Sequence, residues 1–546
     1  MIDKIKNIDP RETTDVAALQ NLVVTCMNII ESQSSMIEAQ AKEIQELKDE
    51  INRMKGEHGS LPPRSKPKVH TGQKPKIKPD RKPRNKKPKN KKLEIDQTII
   101  CKIDKASLPD DAKLVRYINK VQQDIIFKRN NTLYRVPVYH SESAGRIYRG
   151  ELPESYRGKF GLDLQCFLQL FNYGCDTTQG RLEALMKNMR IEISAGQISN
   201  ILLSNVGQME QEKKQILHAG ITYLSFTQID ATKSIEAGQT KTTQVICTEH
   251  YTVYQTMASR RRAHVIGALQ CRRANDVPLL YDQQAVVDLE NSKVPKKDQR
   301  LLAKLLGLDQ IYTIDTLEEL LKEKAPALLK KGSHADVLAI LALRYYLIQK
   351  EFPIVRNLLS DAGHEYAKIS PHQGLCWLHE ERHYKKMLPI LKVHQDILEV
   401  IRCQIWTYYK KLLNFKELTK RQQQKQVKKL ELEFDQIFTQ TTIYDDLNKK
   451  LAKTFTRKEK LLRVLHLPDL PLHNNQAELG VRRKVRKRDI SLHTMSDLGT
   501  AAQDAFMSVV ETAIKLGVNV FDYLYDRLSN KNLMPSLADL IIAKAY

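Results

Sequence analysis

Residues 221–257 read ITYLSFTQIDATKSIEAGQTKTTQVICTEHYTVYQTM, a stretch rich in β-branched and aromatic side chains. Such runs, separated by short polar breaks, are typical of β-strands. The first run, ITYLSFTQIDATK, is expected to deliver Asp230 at the C-terminal end of a strand, and TTQVICTEH and YTVYQTM follow as two more strands. Because strands joined this closely pair with their neighbours, we predict an antiparallel meander.

Downstream of the meander, helical patterns alternate with two further strands. Residues 275–350 are predicted to be largely helical, and a strand in FPIVRNLLSDAG ends at Asp361. Another strand is predicted in GLCWLH at 374–379. Residues 380–465 have the Lys/Glu-rich pattern of surface helices, and helix dominates again from Asn475 onwards. Strands and helices in this order predict an α+β fold with a mixed sheet and large helical insertions.

Upstream of the meander lie a predicted hairpin and two short helices. Residues 124–139, DIIFKRNNTLYRVPVY, are predicted to form two strands around a KRNNT turn. In residues 180–204 a helical stripe is followed by a polar break, after which Ser194 can cap a second helix bearing Ile198 and Leu202. This pattern is compatible with a helix-turn-helix, although any helical hairpin shares it, and both interpretations stay open.

The N-terminal residues 16–54 contain a heptad repeat. Its a positions are all β-branched: Val16, Val23, Ile30, Ile37, Ile44 and Ile51. Aliphatic or sulfur-containing side chains fill four of the six d positions, and β-branched residues at a favour a parallel two-stranded coiled coil. The alternative is an amphipathic helix that packs on its own domain.

Positive charge is concentrated in residues 55–92. This segment holds fifteen Lys/Arg, two acidic residues and seven of the twenty prolines, and it supplies +13 of the net charge of +24. Proline and like-charge repulsion keep such a segment extended and disordered. We interpret it as an arm that follows DNA phosphates, with Lys86, Lys87, Lys91 and Lys92 as contacts. A solubilising tether is the alternative.

Several classes of protein are disfavoured by the sequence. The eight cysteines lie far apart without a C-x-x-C pair, which suits a reducing cytosol better than a disulfide framework. The start, MIDKIKNIDPRE, lacks the apolar core of a secretory signal, and no apolar run approaches the ~18 residues of a membrane span. No GxxxxGK[ST] motif is present, which disfavours a protein driven by ATP hydrolysis. We therefore expect a cytoplasmic, nucleoid-associated protein without a membrane partner.

Three acidic stretches have a distinctive setting. They are QIDATK, LLSDAGHEY followed by GLCWLHEERHY, and PLHNNQAELGVRRKVRKRDIS. These stretches resemble the three catalytic blocks of the IS66 family of bacterial transposases, whose second block usually reads T-D-G-Y-x-x-Y then C-W-x-H-x-R-R and whose third reads N-N-x-A-E-R-x-L-R. The resemblance also covers the heptad segment, the basic linker and the GVNVFDYL tail, in matching order.

The resemblance implies a DDE transposase. Its acidic triad would be Asp230, Asp361 and Glu478, placed on a ribonuclease-H-like core. These carboxylates would be both the catalytic residues and the ligands of two Mg²⁺ or Mn²⁺ ions that drive DNA cleavage and strand transfer. The implied partners are double-stranded DNA (terminal inverted repeats and target), further copies of the chain in a homodimer or higher multimer, and accessory proteins of the same element.

The predicted organisation has five parts. These are a coiled-coil dimerisation segment (1–54), a disordered basic linker (55–92), a DNA-binding region with a degenerate zinc segment and helix-turn-helix-like helices (93–220), a catalytic domain with helical insertions at about 272–350 and 385–465 (221–500), and a C-terminal helical segment (501–546). The zinc segment is called degenerate because the cysteine-rich region of the family is reduced here to Cys101.

Two basic clusters are candidate DNA contacts. The one that follows Glu478 comprises Arg482, Arg483, Lys484, Arg486, Lys487 and Arg488. The weaker one comprises Arg260, Arg261 and Arg262. A solvated helix face is the alternative for the first cluster, whereas its position next to a phosphodiester-cleaving centre favours phosphate binding.

Other features keep alternatives open. Cys376, His379 and His383 have a C-x₂-H-x₃-H spacing that superficially suits zinc. The chain also departs from the family pattern, with Ala-Thr after Asp230, His473 in place of a common Asp and Leu479 in place of a common Arg. A domesticated or inactive relative that binds DNA without cutting it is therefore the second hypothesis, and a coiled-coil scaffold is the third.

Overall fold

The computed structural model describes residues 16–54, scattered positions between 95 and 123, most of 129–160 and all of 161–545. The basic linker, including Lys86, Lys87, Lys91 and Lys92, and the zinc segment around Cys101 lie outside the described residues. The chain divides into two compact units, one formed by Met1–Ser35 with Thr132–Tyr546 and the other by Met36–Asn131.

The first helix, α1, spans Val16–Met54, as the heptad pattern predicts. Within the larger unit, one face of α1 packs against a helical part of the same chain: the Glu31 carboxylate accepts hydrogen bonds from the amides of Ile390 and Leu391. The heptad a positions Val23 and Ile30 nevertheless remain exposed. The alternative of a helix packed on its own domain therefore holds for one face, and the coiled coil stays a prediction for the other.

A small antiparallel hairpin pairs β1 (Val138–Ser141) with β2 (Arg146–Arg149). The predicted position of the strands, 124–139, is wrong for its described part, because residues 129–137 contain no strand. Pro137 explains the shift: it has no amide hydrogen for a ladder, so pairing begins only after it.

Four helices follow the hairpin: α2 (Leu162–Gln169), α3 (Gln179–Asn188), α4 (Ala195–Leu203) and α5 (Val206–Tyr223). A π-helical segment, Leu170–Gly174, extends α2. Ser194 caps α4 in a capping box with Gln197, which confirms the predicted start of this helix. Leu182 and Ile198 are fully buried, so α3 and α4 pack into the main core of the larger unit.

The main sheet begins with the predicted meander, β3 (Thr227–Glu236), β4 (Gln239–Cys247) and β5 (Thr252–Met257). Asp230 is the fourth residue of β3, so the prediction that it ends the strand is wrong. The polar continuation TKSIE stays extended because each of its residues pairs with β4, as far as Glu236 opposite Gln239. The residues ITY, predicted as strand, belong to the end of α5.

An insertion separates β5 from the next strand of the sheet. It contains α6 (Arg262–Ala268), β6 (Pro278–Tyr281), α7 (Gln283–Glu290), α8 (Lys296–Leu305), β7 (Gln310–Thr313), α9 (Ile314–Lys324), α10 (Pro326–Leu329) and α11 (Gly332–Ile348). The helices within residues 275–350 were predicted, whereas α6 and the two-stranded sheet of β6 and β7 were not. Strands of four residues are too short to give a clear alternation of apolar and polar positions.

The strands β8 (Asn357–Ser360) and β9 (His372–Leu375) complete the sheet, whose order is β5-β4-β3-β8-β9. β8 is parallel to both β3 and β9. The strand predicted at 374–379 ends at Leu375, because α12 (Trp377–Lys385) begins almost at once and Trp377 packs among helices rather than in the sheet.

A second group of helices has a hydrophobic core of its own. Its members are α13 (Lys392–Lys416), α14 (Lys420–Phe438), α15 (Asp445–Phe455) and α16 (Lys458–Leu461). Trp377 and Phe434 are buried in this core. The chain then returns to the main sheet with α17 (Asn475–Ser491), α18 (Asp497–Leu516), α19 (Val520–Leu528) and α20 (Leu537–Ala545). None of the helices in the described residues is long and apolar enough to span a membrane.

Candidate active site

Asp230 and Asp361 lie at the same level of two neighbouring strands. β3 and β8 run parallel, with Gln228 opposite Leu359. Continuing this register by two residues puts Asp361 opposite Asp230. β8 ends at Ser360, so Asp361 follows its carboxyl end, while β3 continues past Asp230 in its pairing with β4. The sheet therefore brings the two aspartates together even though only one of them ends a strand.

The Asp230 carboxylate is largely removed from water. Burial raises the pKa of Asp230 above its ordinary value, the hydrogen bond from the Ala231 amide opposes this shift, and the nearby charge of Asp361 adds to it. The Ala231 nitrogen lies 2.8 Å from Asp230 Oδ1. The more distant positive charges of His379 and Arg260 lower the pKa in part. Asp230 is thus a buried carboxylate beside a second carboxylate, the situation in which a cation is most stabilising.

Glu478 is positioned by the start of α17. The N-cap residue Asn474 is fully buried, and its side-chain amide donates to the carbonyl of Ile229, the residue before Asp230 (2.9 Å). This bond ties the helix that carries Glu478 to the strand that carries Asp230. One turn later, Gly480 allows close packing of the helix on the sheet, because a Cβ there would lie 2.6 Å from Val245 Cγ1.

The Glu478 carboxylate is paired with cationic side chains of α12 and α17. Arg382 Nη2 lies 3.1 Å from Glu478 Oε1, and His379 Nε2 lies 3.8 Å from the same oxygen. Arg482, one turn further along α17, lies 3.5 Å from Oε2. Arg382 also contacts His379 at 3.0 Å. Sequence reasoning did not select Arg382 as a site residue, although the C-W-x-H-x-R-R block contains the signal for it.

Arg260 pairs with the second aspartate. Its Nη2 lies 3.1 Å from Asp361 Oδ2, and its Nε pairs with Glu365. Arg262 donates to the carbonyl of His364 at 2.8 Å. These two arginines therefore hold the loop after β8 in this structure, and their assignment as DNA contacts stays a prediction. The side chain of Arg261 is exposed.

The chemistry of the donor set fits a divalent cation. Three carboxylates offer the oxygen ligands that Mg²⁺ and Mn²⁺ prefer, and Asp230 is buried beside another negative charge. Nearby, Asn474 Oδ1 and His379 Nδ1 are buried without a hydrogen-bond partner among the described residues. As they stand, however, no three His, Cys, Asp or Glu side chains in the described part of the chain are grouped to hold an ion. Arg260 and Arg382 hold two of the carboxylates instead.

The C-x₂-H-x₃-H spacing does not form a metal centre among the described residues. Burial raises the pKa of the Cys376 thiol, and its Sγ accepts a hydrogen bond from the Asn474 amide at 3.3 Å. His379 faces Glu478 instead. Cys376 and His379 thus contact the start of α17, whereas His383 is exposed.

Comparison with known proteins identifies the family. Residues 356–502 match the family model described as "Transposase IS66 family". The chain belongs to the IS66 transposase family. The IS66 match includes Asp361, Glu478 and Arg382, whereas Asp230 lies before it and is selected by its place in the sheet.

A relative and the solved structures add to this comparison. The chain is 30% identical over 342 residues to the uncharacterized protein y4jO of Sinorhizobium fredii (strain NBRC 101917 / NGR234), an alignment that covers 60% of this chain and 100% of the relative. No solved structure matches this IS66 family chain.

Three of the six basic residues after Glu478 are structural, which corrects their assignment as DNA contacts. Arg483 pairs with Glu511 at 2.8 Å and with Asp176. Lys484 is buried and pairs with Asp504. Burial lowers the pKa of Lys487 to about 8, and its Nζ donates to the carbonyl of Asn172 at 2.5 Å. The sequence shows a continuous basic run. In the helix, however, Arg483, Lys484 and Lys487 share one face, and that face points towards the core.

The remaining basic residues of this run are accessible in part. Arg482 and Arg486 are exposed. Arg488 is half-buried and donates to the carbonyl of Lys233. Of the original cluster, Arg482 and Arg486 are therefore the side chains whose charge is open to a phosphate.

Proposed function

We propose that this IS66 family chain is a transposase that cleaves transposon ends and joins the freed 3′-OH to target DNA. The observation that carries the proposal is the pair of aspartates at one level of two parallel strands, with Glu478 on a helix tied to the first strand by Asn474. The sheet order β5-β4-β3-β8-β9, antiparallel on one side of β3 and parallel on the other, supports a ribonuclease-H-like core.

Each carboxylate has a distinct role in this proposal. Asp230, whose pKa is raised by burial, would hold the two divalent ions together with Asp361 of the neighbouring strand, and Glu478 would complete the ligand set. When bound, two Mg²⁺ or Mn²⁺ ions supply a water nucleophile at neutral pH and stabilise the leaving 3′ oxygen. No covalent enzyme intermediate is required.

Arg382 and Asn474 act as positioning residues in the same scheme. Asn474 holds the start of α17 against β3. Arg382 neutralises Glu478 until that carboxylate is needed as a ligand, and its guanidinium, nearly half-exposed, is then free to bind a DNA phosphate. The exposed Arg482 and Arg486 extend this positive edge along α17.

Strand cleavage tests the proposal directly. A supercoiled plasmid that carries the ends of the element is incubated with protein and Mg²⁺, and nicked product is quantified. Asp361→Asn is expected to lower cleavage at least ~10³-fold, since it removes a charged ligand of the divalent ions that stabilise the transition state. Asp288→Asn, an exposed position on α7, is the matched control and should cleave normally. Full cleavage activity of Asp361→Asn would contradict the assignment of Asp361 as a catalytic residue.

The second candidate function is DNA binding without cleavage. It is favoured by the pairing of Glu478 with Arg382 and by the departures from the family pattern at Ala231 and Leu479. Calorimetric titration with Mn²⁺ separates the two functions. If wild type binds Mn²⁺ and Asp230→Asn does not, the result supports the transposase. If folded wild type binds no Mn²⁺, the result favours a protein that only binds DNA.

We also propose that the working form is a homodimer or higher multimer on DNA, joined through α1, with the basic linker along the phosphates and accessory proteins of the same element as further partners. The exposed apolar a positions of α1 support the self-association. Pairing both ends before cutting protects a host chromosome from single-ended breaks, which is a reason for a transposase to multimerise.

A further inference from the structure

The hairpin of β1 and β2 is exposed on both faces. Cross-strand pairing puts Tyr139 opposite Tyr148 on one face and His140 opposite Ile147 on the other. The side chains of Tyr139 and Ile147 are 68% and 58% exposed, so neither face is covered by the rest of the described chain. The hairpin closes at its base through a hydrogen bond from the Gly150 amide to the carbonyl of Pro137 (2.9 Å).

Such an element needs a partner. An isolated two-stranded hairpin is marginally stable in water, and contiguous exposed apolar side chains mark an interaction surface. The other large side chains of the hairpin region are exposed as well: Leu133, Tyr134, Val136, Val138 and Tyr148. We define the ribbon surface as Tyr139, Tyr148 and Arg146, together with Arg149 and Arg135 at its edges.

The charge of the ribbon indicates which partner it fits. Residues 132–150 contain three arginines and one acidic residue, Glu142. All three arginines are exposed. A second copy of the chain would present the same positive charge and repel it, whereas a polyanion would neutralise it.

The side chains of one face are ordered with respect to each other. The Arg146 guanidinium lies 4.6 Å above the centre of the Tyr148 ring, and its Nε donates to the Tyr148 hydroxyl at 2.6 Å. Arg146 and Tyr148 are therefore held against each other, and Tyr139 adds a second ring on the same face, opposite Tyr148. Arginine and tyrosine with this geometry suit phosphate oxygens and base edges.

Shape favours duplex DNA. The major groove of B-DNA is about 12 Å wide and admits a two-stranded β-ribbon. The second helix of the possible helix-turn-helix, α4, contains no charged residue in AGQISNILL, so it is a poorer match to a phosphate-lined groove.

We propose that the β1–β2 ribbon is a DNA-binding element that enters the major groove with its Tyr139, Tyr148 and Arg146 face. This inference rests on the proposed function for its substrate, DNA, and adds where the chain holds that substrate. Arg149 and Arg135 contact the flanking phosphates, and the two tyrosine rings contact the base edges and sugars.

The test compares variants of the full chain in binding to a 30-base-pair fluorescent duplex. Tyr139→Ala/Tyr148→Ala and Arg146→Gln/Arg149→Gln are expected to bind at least ~10-fold more weakly than wild type. The arginine variant should also show a salt slope smaller by about 1 per lost phosphate contact. The matched controls are Tyr223→Ala on α5 and Arg300→Gln on α8, both exposed, and they should bind as wild type does.

A second measurement tests the groove. Dimethyl sulfate methylates guanine N7, which lies in the major groove, so wild type should protect guanines that the tyrosine variant leaves reactive. Unchanged affinity and protection in both ribbon variants would overturn the inference. The inference would also be overturned if the ribbon variants lost self-association but still bound DNA, since the ribbon would then be an interface between copies of the chain.

The two proposals fail in different ways. Asp361→Asn should retain binding and guanine protection while losing cleavage. If wild type cleaves DNA and the ribbon variants bind it normally, the ribbon inference is wrong and the transposase proposal stands. If wild type protects guanines through the ribbon but never cleaves, the transposase proposal is wrong and the ribbon inference stands. If wild type binds no duplex, both are wrong.

Discussion

Arg382 Nη2 lies 3.1 Å from Glu478 Oε1, so the third carboxylate of the proposed catalytic triad is paired with an arginine of the neighbouring helix. A divalent cation bound there, as we propose, would compete with the guanidinium for the same oxygens. The pair joins α12, which follows the strand next to Asp361, to α17, which packs on the strand of Asp230. It thus connects the parts of the chain that carry the three acids.

The first prediction concerns this competition. Arg382→Gln is expected to raise the affinity for Mn²⁺ in the absence of DNA by up to about 5-fold, since a partly exposed ion pair is worth up to about 1 kcal/mol. Calorimetric titration measures this change. Arg300→Gln, an exposed arginine on α8, should leave the affinity unchanged. An unchanged affinity in Arg382→Gln would show that Glu478 is not a ligand.

The second prediction is a pH dependence of stability. The pKa of Asp230 in the folded chain is raised, chiefly by burial, so its ionisation opposes folding. This cost is fully present above the folded pKa, falls as the pH drops through it, and vanishes below the ordinary value of 3.8. Asp230→Asn should therefore melt at a higher temperature than wild type at pH 7 in a metal-free buffer, and the difference should shrink towards pH 4. A lower melting temperature at pH 7 would contradict the burial cost.

The third prediction separates structural from DNA-facing basic residues on α17. Lys484 and Asp504 are both buried and lie 2.7 Å apart, so Lys484→Met leaves an unpaired buried carboxylate and should cost about 3–5 kcal/mol of unfolding free energy. Arg482→Met, at an exposed position, should change stability by less than about 0.5 kcal/mol. The same Arg482 variant should lower the salt slope of DNA binding by about 1. Denaturant unfolding measures the stability of both variants, and salt-titrated DNA binding measures the slope. Equal stability of Lys484→Met and Arg482→Met would show that Lys484 is not a structural residue.

The fourth prediction concerns the attachment of α1 to the helical insertion. The Glu31 carboxylate accepts from the Leu391 amide at 2.7 Å and lies 3.4 Å from His394 Nδ1 in a fully buried setting. Glu31→Ala should cost about 1–3 kcal/mol, because it leaves the amides of Ile390 and Leu391, just before α13, without their acceptor. It should also make residues 16–35 more sensitive to protease. Glu38→Ala, at an exposed position of the same helix, is the control, and equal protease sensitivity of the two variants would argue against the attachment.

The fifth prediction tests the coiled coil, first with a double substitution that leaves this attachment in place. Ile37 and Ile44 are heptad a positions that are 64% and 52% exposed. Ile37→Lys/Ile44→Lys should abolish dimerisation, as measured by sedimentation, with unchanged unfolding of the rest of the chain. Deletion of residues 1–92 should also weaken DNA binding and make its salt slope shallower, since it removes the linker that supplies +13 of charge. A dimer that survives both changes would place self-association elsewhere.

Local patterns were sufficient where a short stretch of chain decides its own conformation. The meander after Thr227, the cap at Ser194 and the heptad helix were predictable, because alternation, capping and heptad spacing are properties of neighbouring residues. The acidic blocks around Asp361 and Glu478 were also recognisable, since their motifs are contiguous in sequence.

Long-range packing decided the rest. That Asp230 lies in mid-strand follows from its pairing with β4, and that it meets Asp361 follows from a parallel register between segments more than 100 residues apart. The basic run on α17 divides into exposed Arg482 and buried Lys484 only because one side of the helix lies on the sheet. The sequence alone determined which residues are available for chemistry, whereas the fold determined which charges meet, since a buried charge is stable only where another element supplies its partner.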